Sequence, residues 1–218
     1  MLQLYLDTAI RTEAEPLLKA GLFRGLTTNP LLLRRAALKT ADLPDLYDWA
    51  TSAGAQEVFI QAWGQDDEAL IKCAENLRAI GPDVVVKLPV TREGARAAVI
   101  LVRHGHPVLL TAVYNAQQAL LGAAAGAHYV APYLGRMNDA GRRARAEIIA
   151  MQRALRAVGS QTKILVASLR SLSDLVALAQ EGLSCFALSP TVSEDFFAEP
   201  LTDEIVQAFD RATREMEG

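Results

Sequence analysis

The chain has 218 residues, with 22 lysines and arginines against 25 aspartates and glutamates, for a formal net charge of −3. It carries no basic run, which speaks against a nucleic-acid-binding surface, and its 51% hydrophobic and 22% charged residues suit an ordinary globular chain with a substantial core. The opening Met1–Arg11 has an acid at Asp7 and no basic segment, unlike a secretory signal, and no apolar stretch reaches membrane-spanning length, so a soluble, cytoplasmic protein is expected.

One pattern recurs along the chain: a short β-prone run ending in a polar or small residue, then a longer Ala/Leu-rich stretch of helical periodicity. It opens with a strand over Gln3–Asp7, a helix over Thr12–Ala20 and a strand over Phe23–Thr27. Asn29 followed by Pro30 reads as a helix N-cap and first helical residue, and a helix is expected over Ala41–Ser52. Strands over Glu57–Gln61, Val84–Lys87 and Pro107–Thr111 then alternate with helices over Asp66–Ile80, Arg92–Arg103 and Ala116–Ala125. His128–Pro132 leads to a helix over Arg142–Val158, and Lys163–Ser168 to one over Leu172–Gln180. After the last strand, Ser184–Leu188, come Thr191–Phe197 and a charged amphipathic segment, Thr202–Met216.

Asp7, Asn29, Gln61, Lys87, Thr111, Tyr133, Ser168 and Ser189 close successive units at intervals of 21 to 35 residues. Eight βα units without a linker-like break predict an α/β fold: one (β/α)8 barrel domain over residues 1–218 with a C-terminal helix. A doubly wound open sheet is the rival, but no glycine-rich phosphate fingerprint follows the first strand. Chemistry in such barrels gathers at the C-terminal strand ends, so Asp7, Asn29, Gln61, Lys87, Thr111, Tyr133 and Ser168 are expected around one mouth.

Lys87 is the most informative of these. It ends a β-branched run, Val84–Val86, of the kind that marks a strand buried on both faces. Desolvation lowers the pKa of a buried ammonium, and a neutral amine is the nucleophile for Schiff-base chemistry at a carbonyl. A lysine snorkelling to solvent from the strand end is the structural alternative. His104 and His106 precede a strand and so belong at the opposite face, and neither they nor Cys73 and Cys185 show metal-ligand spacing, so no metal is expected. Both cysteines read as reduced.

YLDT (Tyr5–Thr8), LTTNP (Leu26–Pro30), VVVKLPVT (Val84–Thr91), TAVYNAQQALL (Thr111–Leu121), YVAPYLGRMND (Tyr129–Asp139) and ASLR (Ala167–Arg170) resemble the transaldolase family. Within it they resemble the subgroup of fructose-6-phosphate aldolase and the short transaldolases. The resemblance covers nearly the whole chain and implies a class I aldolase barrel that needs no metal or cofactor. It also implies a homo-oligomer, a decamer of two pentameric rings or a pentamer, acting on sugar phosphates and dihydroxyacetone. Transaldolases usually have glutamate where this chain has Gln61, and phenylalanine where it has Tyr133. Gln61, Thr111, Ala131 and Tyr133 follow the fructose-6-phosphate aldolase pattern instead, in which glutamine, threonine and tyrosine hold a proton-relaying water. LGR (Leu134–Arg136) is closer to the transaldolase branch.

On that resemblance Lys87 is the nucleophile, Tyr133 the acid/base, and Gln61, Thr111 and Asp7 complete the catalytic set. Asn29 and Thr28 would meet dihydroxyacetone hydroxyls, and Arg136, Ser168 and Arg170 the phosphate, which suits the planar donor fork of arginine. Structural alternatives stand beside these roles: Asp7 as a cap of the first helix or the partner of a cation, Gln61 and Thr111 satisfying strand-end backbone groups, Tyr133 as an anchored core aromatic, and Arg136 or Arg170 in a salt bridge. Trp63 either shapes the acceptor pocket or packs under a loop. The reading favoured from sequence is fructose-6-phosphate cleavage, with transaldolase as the alternative and a catalytically silent sugar-phosphate-binding barrel as the second.

Overall fold

Strand parity builds the molecule. The computed structural model describes residues Met1–Glu217. Eight strands, β1 (Gln3–Asp7), β2 (Gly25–Thr27), β3 (Glu57–Gln61), β4 (Val84–Pro89), β5 (Val108–Val113), β6 (Tyr129–Pro132), β7 (Lys163–Val166) and β8 (Cys185–Leu188), pair in parallel and in sequence order. β1 also pairs with β8, which closes the sheet into a TIM barrel with no free edge.

Successive side chains of a strand point to opposite faces. One parity set therefore fills the barrel: Tyr5, Phe59, Val85, Leu109, Tyr129, Ala131, Leu165, Cys185 and Ala187 form a compact inner cluster. The other set, including Leu6, Val58, Ile60, Val86, Leu110 and Phe186, points outward into a second and larger core. Helices supply the rest of that core: α1 (Arg11–Lys19), α2 (Pro30–Arg35), α3 (Leu43–Ser52), α4 (Asp67–Arg78), α5 (Arg92–Arg103), α6 (Ala116–Ala124), α7 (Leu134–Asp139), α8 (Ala144–Ala157) and α9 (Leu172–Gln180). In α5, for example, Ala98 and Leu101 are fully covered at helical spacing. The chain ends in α10 (Pro190–Glu194), a 3-10 turn over Asp195–Phe197 and α11 (Pro200–Glu217), in which no residue is buried.

The N-terminal end of the barrel is closed by a hydrogen-bonded plug. Tyr5 and Tyr129 donate to the Glu57 carboxylate at 2.6 and 2.9 Å, and Arg24 Nε donates to it at 2.8 Å. Burial raises the pKa of Glu57, but these donors outweigh it and hold the carboxyl below its ordinary range. Phe59 packs edge-on between the two tyrosines, with ring centroids at 5.2 and 5.3 Å. Gly25, in register with Glu57, lets β2 approach here: a Cβ at that position would lie 2.0 Å from the Glu57 carbonyl oxygen.

Several expected boundaries move. β4 runs two residues past Lys87, so the lysine is inside the strand rather than at its end. β7 stops at Val166, and Ser168 leaves the sheet with a φ of 60°. β5 reaches Val113 through a bulge at Ala112, whose φ is also 60°. The helix expected over Ala41–Ser52 begins at Leu43 behind a 3-10 turn over Thr40–Asp42. Asn29 does cap α2, accepting from the amides of Leu31 and Leu32 at 2.9 and 3.1 Å.

Candidate active site

Above the inner cluster, the next residues of the same parity set are Asp7, Thr27, Gln61, Lys87, Thr111, Tyr133 and Ala167, at the C-terminal end of the barrel. A cavity of about 240 Å³ opens there, lined by Asp7, Thr27, Asn29, Lys87, Tyr133, Arg136 and Ser168 among its polar residues. Leu31, Leu32, Leu109, Ala131, Leu165, Ala167 and Ala187 supply the apolar wall.

Lys87 is the only lysine buried among the described residues, with 4% of its surface exposed. It does not snorkel. Its ammonium donates to Thr27 Oγ1 at 2.9 Å and to the Thr28 carbonyl at 2.6 Å. Burial brings its pKa down to about 8, against a weaker opposing pull from Asp7. Roughly a tenth of the amine is then free at pH 7, several hundred times the fraction of an ordinary lysine.

Asp7 faces the converse balance. Burial raises its pKa, while Lys87 and Arg136 pull it back. It does not cap the first helix: the N-cap of α1 is Ile10, which makes no side-chain cap bond. Tyr133 shares a 2.6 Å hydrogen bond with Thr111 Oγ1, and either oxygen can donate. Burial raises the pKa of this phenol, with the Thr111 bond acting in the opposite direction. Arg136 lies over its ring with Cζ 5.0 Å from the centroid, and Tyr114 packs edge-on at 6.0 Å. A tyrosine gripped on three sides presents its hydroxyl in a fixed position.

The remaining residues divide. Asn29 lines the cavity and caps α2 at once. Ser168 reaches the cavity because its left-handed backbone turns the chain inward past β7. Gln61 sits beside Lys87 in register but forms no part of the cavity wall. Thr111 touches the cavity only through Tyr133. Thr28 contributes its carbonyl, since its hydroxyl donates to the Phe59 carbonyl at 3.0 Å. Arg170 is drawn away into a forked pair with Asp139, Nη1 to Oδ1 at 2.7 Å and Nη2 to Oδ2. Trp63 lies outside the mouth, in a groove with Cys73 and Leu77.

Thr27 was not among the sequence candidates, although it is the hydroxyl in contact with the amine. Parity held the signal: Gly25 and Thr27 face inward in β2, so Thr28 cannot. The Glu57 plug was also missed, although an acid at an inward position of a strand is an anomaly that needs partners.

A buried amine of low basicity, set beside a carboxylate and across from an anchored phenol, makes this a barrel equipped for covalent chemistry at a carbonyl carbon. Comparison with known proteins narrows the class. The chain belongs to the Transaldolase/Fructose-6-phosphate aldolase family, which it matches over residues 4–217. It is 31% identical over 209 residues to a protein of Coprothermobacter proteolyticus named "Probable transaldolase", covering 95% of this chain and 94% of the relative. Proteins of the same name from Methanococcus maripaludis and Rhodospirillum centenum are 31% and 33% identical over 208 and 212 residues. These matches cover 95% of this chain, and 95% and 89% of the relatives.

Solved structures share the fold only. A thiamine phosphate pyrophosphorylase from Pyrococcus furiosus superposes with a TM-score of 0.61 at 12% identity, covering 86% of this chain and 85% of its own. A mandelate oxidase superposes with a TM-score of 0.59 at 14% identity, and the match spans 86% of this chain and 64% of the oxidase.

Proposed function

We propose that this protein is a Schiff-base transaldolase, moving a dihydroxyacetone unit from a ketose phosphate to an aldose phosphate. The observation that carries the reading is Lys87: a buried amine with a pKa near 8, held by Thr27 and the Thr28 carbonyl at the floor of a polar mouth. The free amine attacks the C2 carbonyl and water leaves, giving an iminium. The iminium accepts the electron pair of the C3–C4 bond while the C4 hydroxyl gives up its proton, and the shortened aldehyde departs. The enamine then adds to the acceptor aldehyde, and water frees the product and the amine.

Asp7 stabilises the iminium charge in this scheme, Asn29 and Thr27 meet the substrate hydroxyls, and Tyr133 moves the proton. Arg136, Ser168 and Arg170 receive the phosphate. The full-length relatives named as transaldolases support transfer over simple cleavage, and so reverse the order favoured from sequence.

The second reading is fructose-6-phosphate cleavage to dihydroxyacetone and glyceraldehyde 3-phosphate. One observation favours it: the phenol of Tyr133, bonded to Thr111, is a proton-transfer group that a phenylalanine would lack. A cytoplasmic location and a homo-oligomeric assembly belong to the same proposal. The exposed apolar side chains of α11, Leu201, Ile205, Val206 and Phe209, are consistent with contact between copies.

Borohydride reduction in the presence of fructose 6-phosphate tests the chemistry, with one reduced adduct expected on Lys87. An adduct on another lysine, or none, would overturn it. Product analysis with and without erythrose 4-phosphate separates transfer from cleavage. Consumption of fructose 6-phosphate that needs no acceptor would establish the second reading.

A further inference from the structure

Arg170 and Asp139 are joined through an unusual path. Arg170 follows Ser168 two residues after the chain turns inward, and Asp139 is the last residue of α7. Between them lies Gly135, one helical turn before Asp139. A Cβ on Gly135 would sit 2.8 Å from Ser168 Oγ and 2.9 Å from Arg170 Nε. The arginine therefore runs across the bare glycine face of α7. Its Nε is beside a cavity-lining serine and its two terminal nitrogens are on Asp139. Arg136, next to Gly135 in the chain, lines the cavity itself.

A forked pair of guanidinium donors takes a carboxylate or two phosphate oxygens in the same way. It cannot serve both. The pair is exposed, with 60% of the Arg170 and 55% of the Asp139 side chain open to solvent, so its hold is of the weak surface kind.

We propose that Asp139 is a resident anion that occupies the fork of Arg170 until the phosphate of a substrate displaces it. Phosphate then binds by exchange, and Asp139 sets how tightly phosphorylated substrates are held. This rests on the reading above that the mouth accepts a sugar phosphate. Arg170 needs only to swing its tip back along α7 toward Ser168 and Arg136, and Gly135 keeps that path clear. The released carboxylate turns to water. Hydrogen bonding to Arg170 holds the Asp139 carboxyl below its ordinary range, so it is an anion, and a competitor, throughout the neutral range.

The test is binding of inorganic phosphate to the full chain by calorimetry at constant ionic strength, in a double-mutant cycle of Asp139→Asn and Arg170→Met. Asp139→Asn should tighten phosphate about two- to fivefold, the scale of an exposed ion pair. In the Arg170→Met background the same change should have no effect. An equal gain in both backgrounds would reduce the role of Asp139 to general repulsion and overturn exchange. Weaker or unchanged binding in Asp139→Asn, or no phosphate binding to any of the four chains, would overturn it as well. Because no turnover is measured, absence of a borohydride adduct on Lys87 would refute the Schiff-base reading without touching this result.

Discussion

Replacing Lys87 with methionine should remove a pH dependence of stability that reports the buried amine directly. The pKa falls from 10.5 to about 8 on folding, which corresponds to roughly 3 kcal/mol, since a tenfold change in proton affinity is 1.36 kcal/mol. The unfolded chain keeps its proton up to about 10.5 while the folded chain gives it up near 8, so folding releases a proton between those limits. Stability gained by the wild type with rising pH is therefore confined to that window. Below pH 8 the wild type bears the full cost of a buried ammonium. Methionine avoids that cost but leaves the Thr28 carbonyl without its donor, a loss of about 1–3 kcal/mol, so near pH 7 the two chains should be of similar stability. Above pH 10.5 the wild type should be the more stable by about that same 1–3 kcal/mol. Urea unfolding of both chains from pH 7 to 11 measures the difference, in which titrations of groups remote from residue 87 cancel; Asp7, which Lys87 draws down, titrates higher in the variant and gives that chain a slope of opposite sign only toward the acid end. A difference that stays flat across the window would refute the claim that this lysine is desolvated.

Three further outcomes are expected. Tyr133→Phe removes the hydroxyl bonded to Thr111 and should lower turnover by about a hundredfold or more, while Lys87 still yields a borohydride adduct; loss of the adduct would show that the phenol shapes the site rather than moving a proton. Arg136→Ala should weaken use of glyceraldehyde 3-phosphate about ten- to a hundredfold and that of unphosphorylated glyceraldehyde far less; equal losses would make Arg136 a prop for the Tyr133 ring. Gly25→Ala forces a methyl to within 2.0 Å of the Glu57 carbonyl and should cost about 1–3 kcal/mol in thermal unfolding, unless β2 and β3 separate without penalty.

The barrel was legible because its signal is repetitive. Each strand is a short run bounded by a change of period, and eight repetitions outweigh errors of a residue or two at any boundary. What was not legible was short or local. α7 has six residues, Leu134–Asp139, fewer than two turns, with a glycine at its second position, so no helical period can establish itself. The backbone reversals at Ala112 and Ser168 use residues with no special preference for positive φ, and the closed barrel imposes them.

The same distinction runs through the site. Residues held by strand parity could be placed from sequence once the barrel was granted, and Lys87 is the clearest case: Val85 faces inward, so Lys87 must as well. Parity applied to β2 would have selected Thr27 over Thr28. Residues held by loops could not be placed, because their direction depends on partners far away in the chain. Arg170 has the right chemistry for a phosphate and lies two residues from a serine that lines the cavity, yet its fork faces Asp139. Residue type and proximity in the chain are properties of sequence, whereas the partner that a guanidinium takes is a property of the fold. The strand-borne amine is therefore fixed by the barrel itself, whereas the loop-borne arginine takes its direction from Asp139, 31 residues away in the chain.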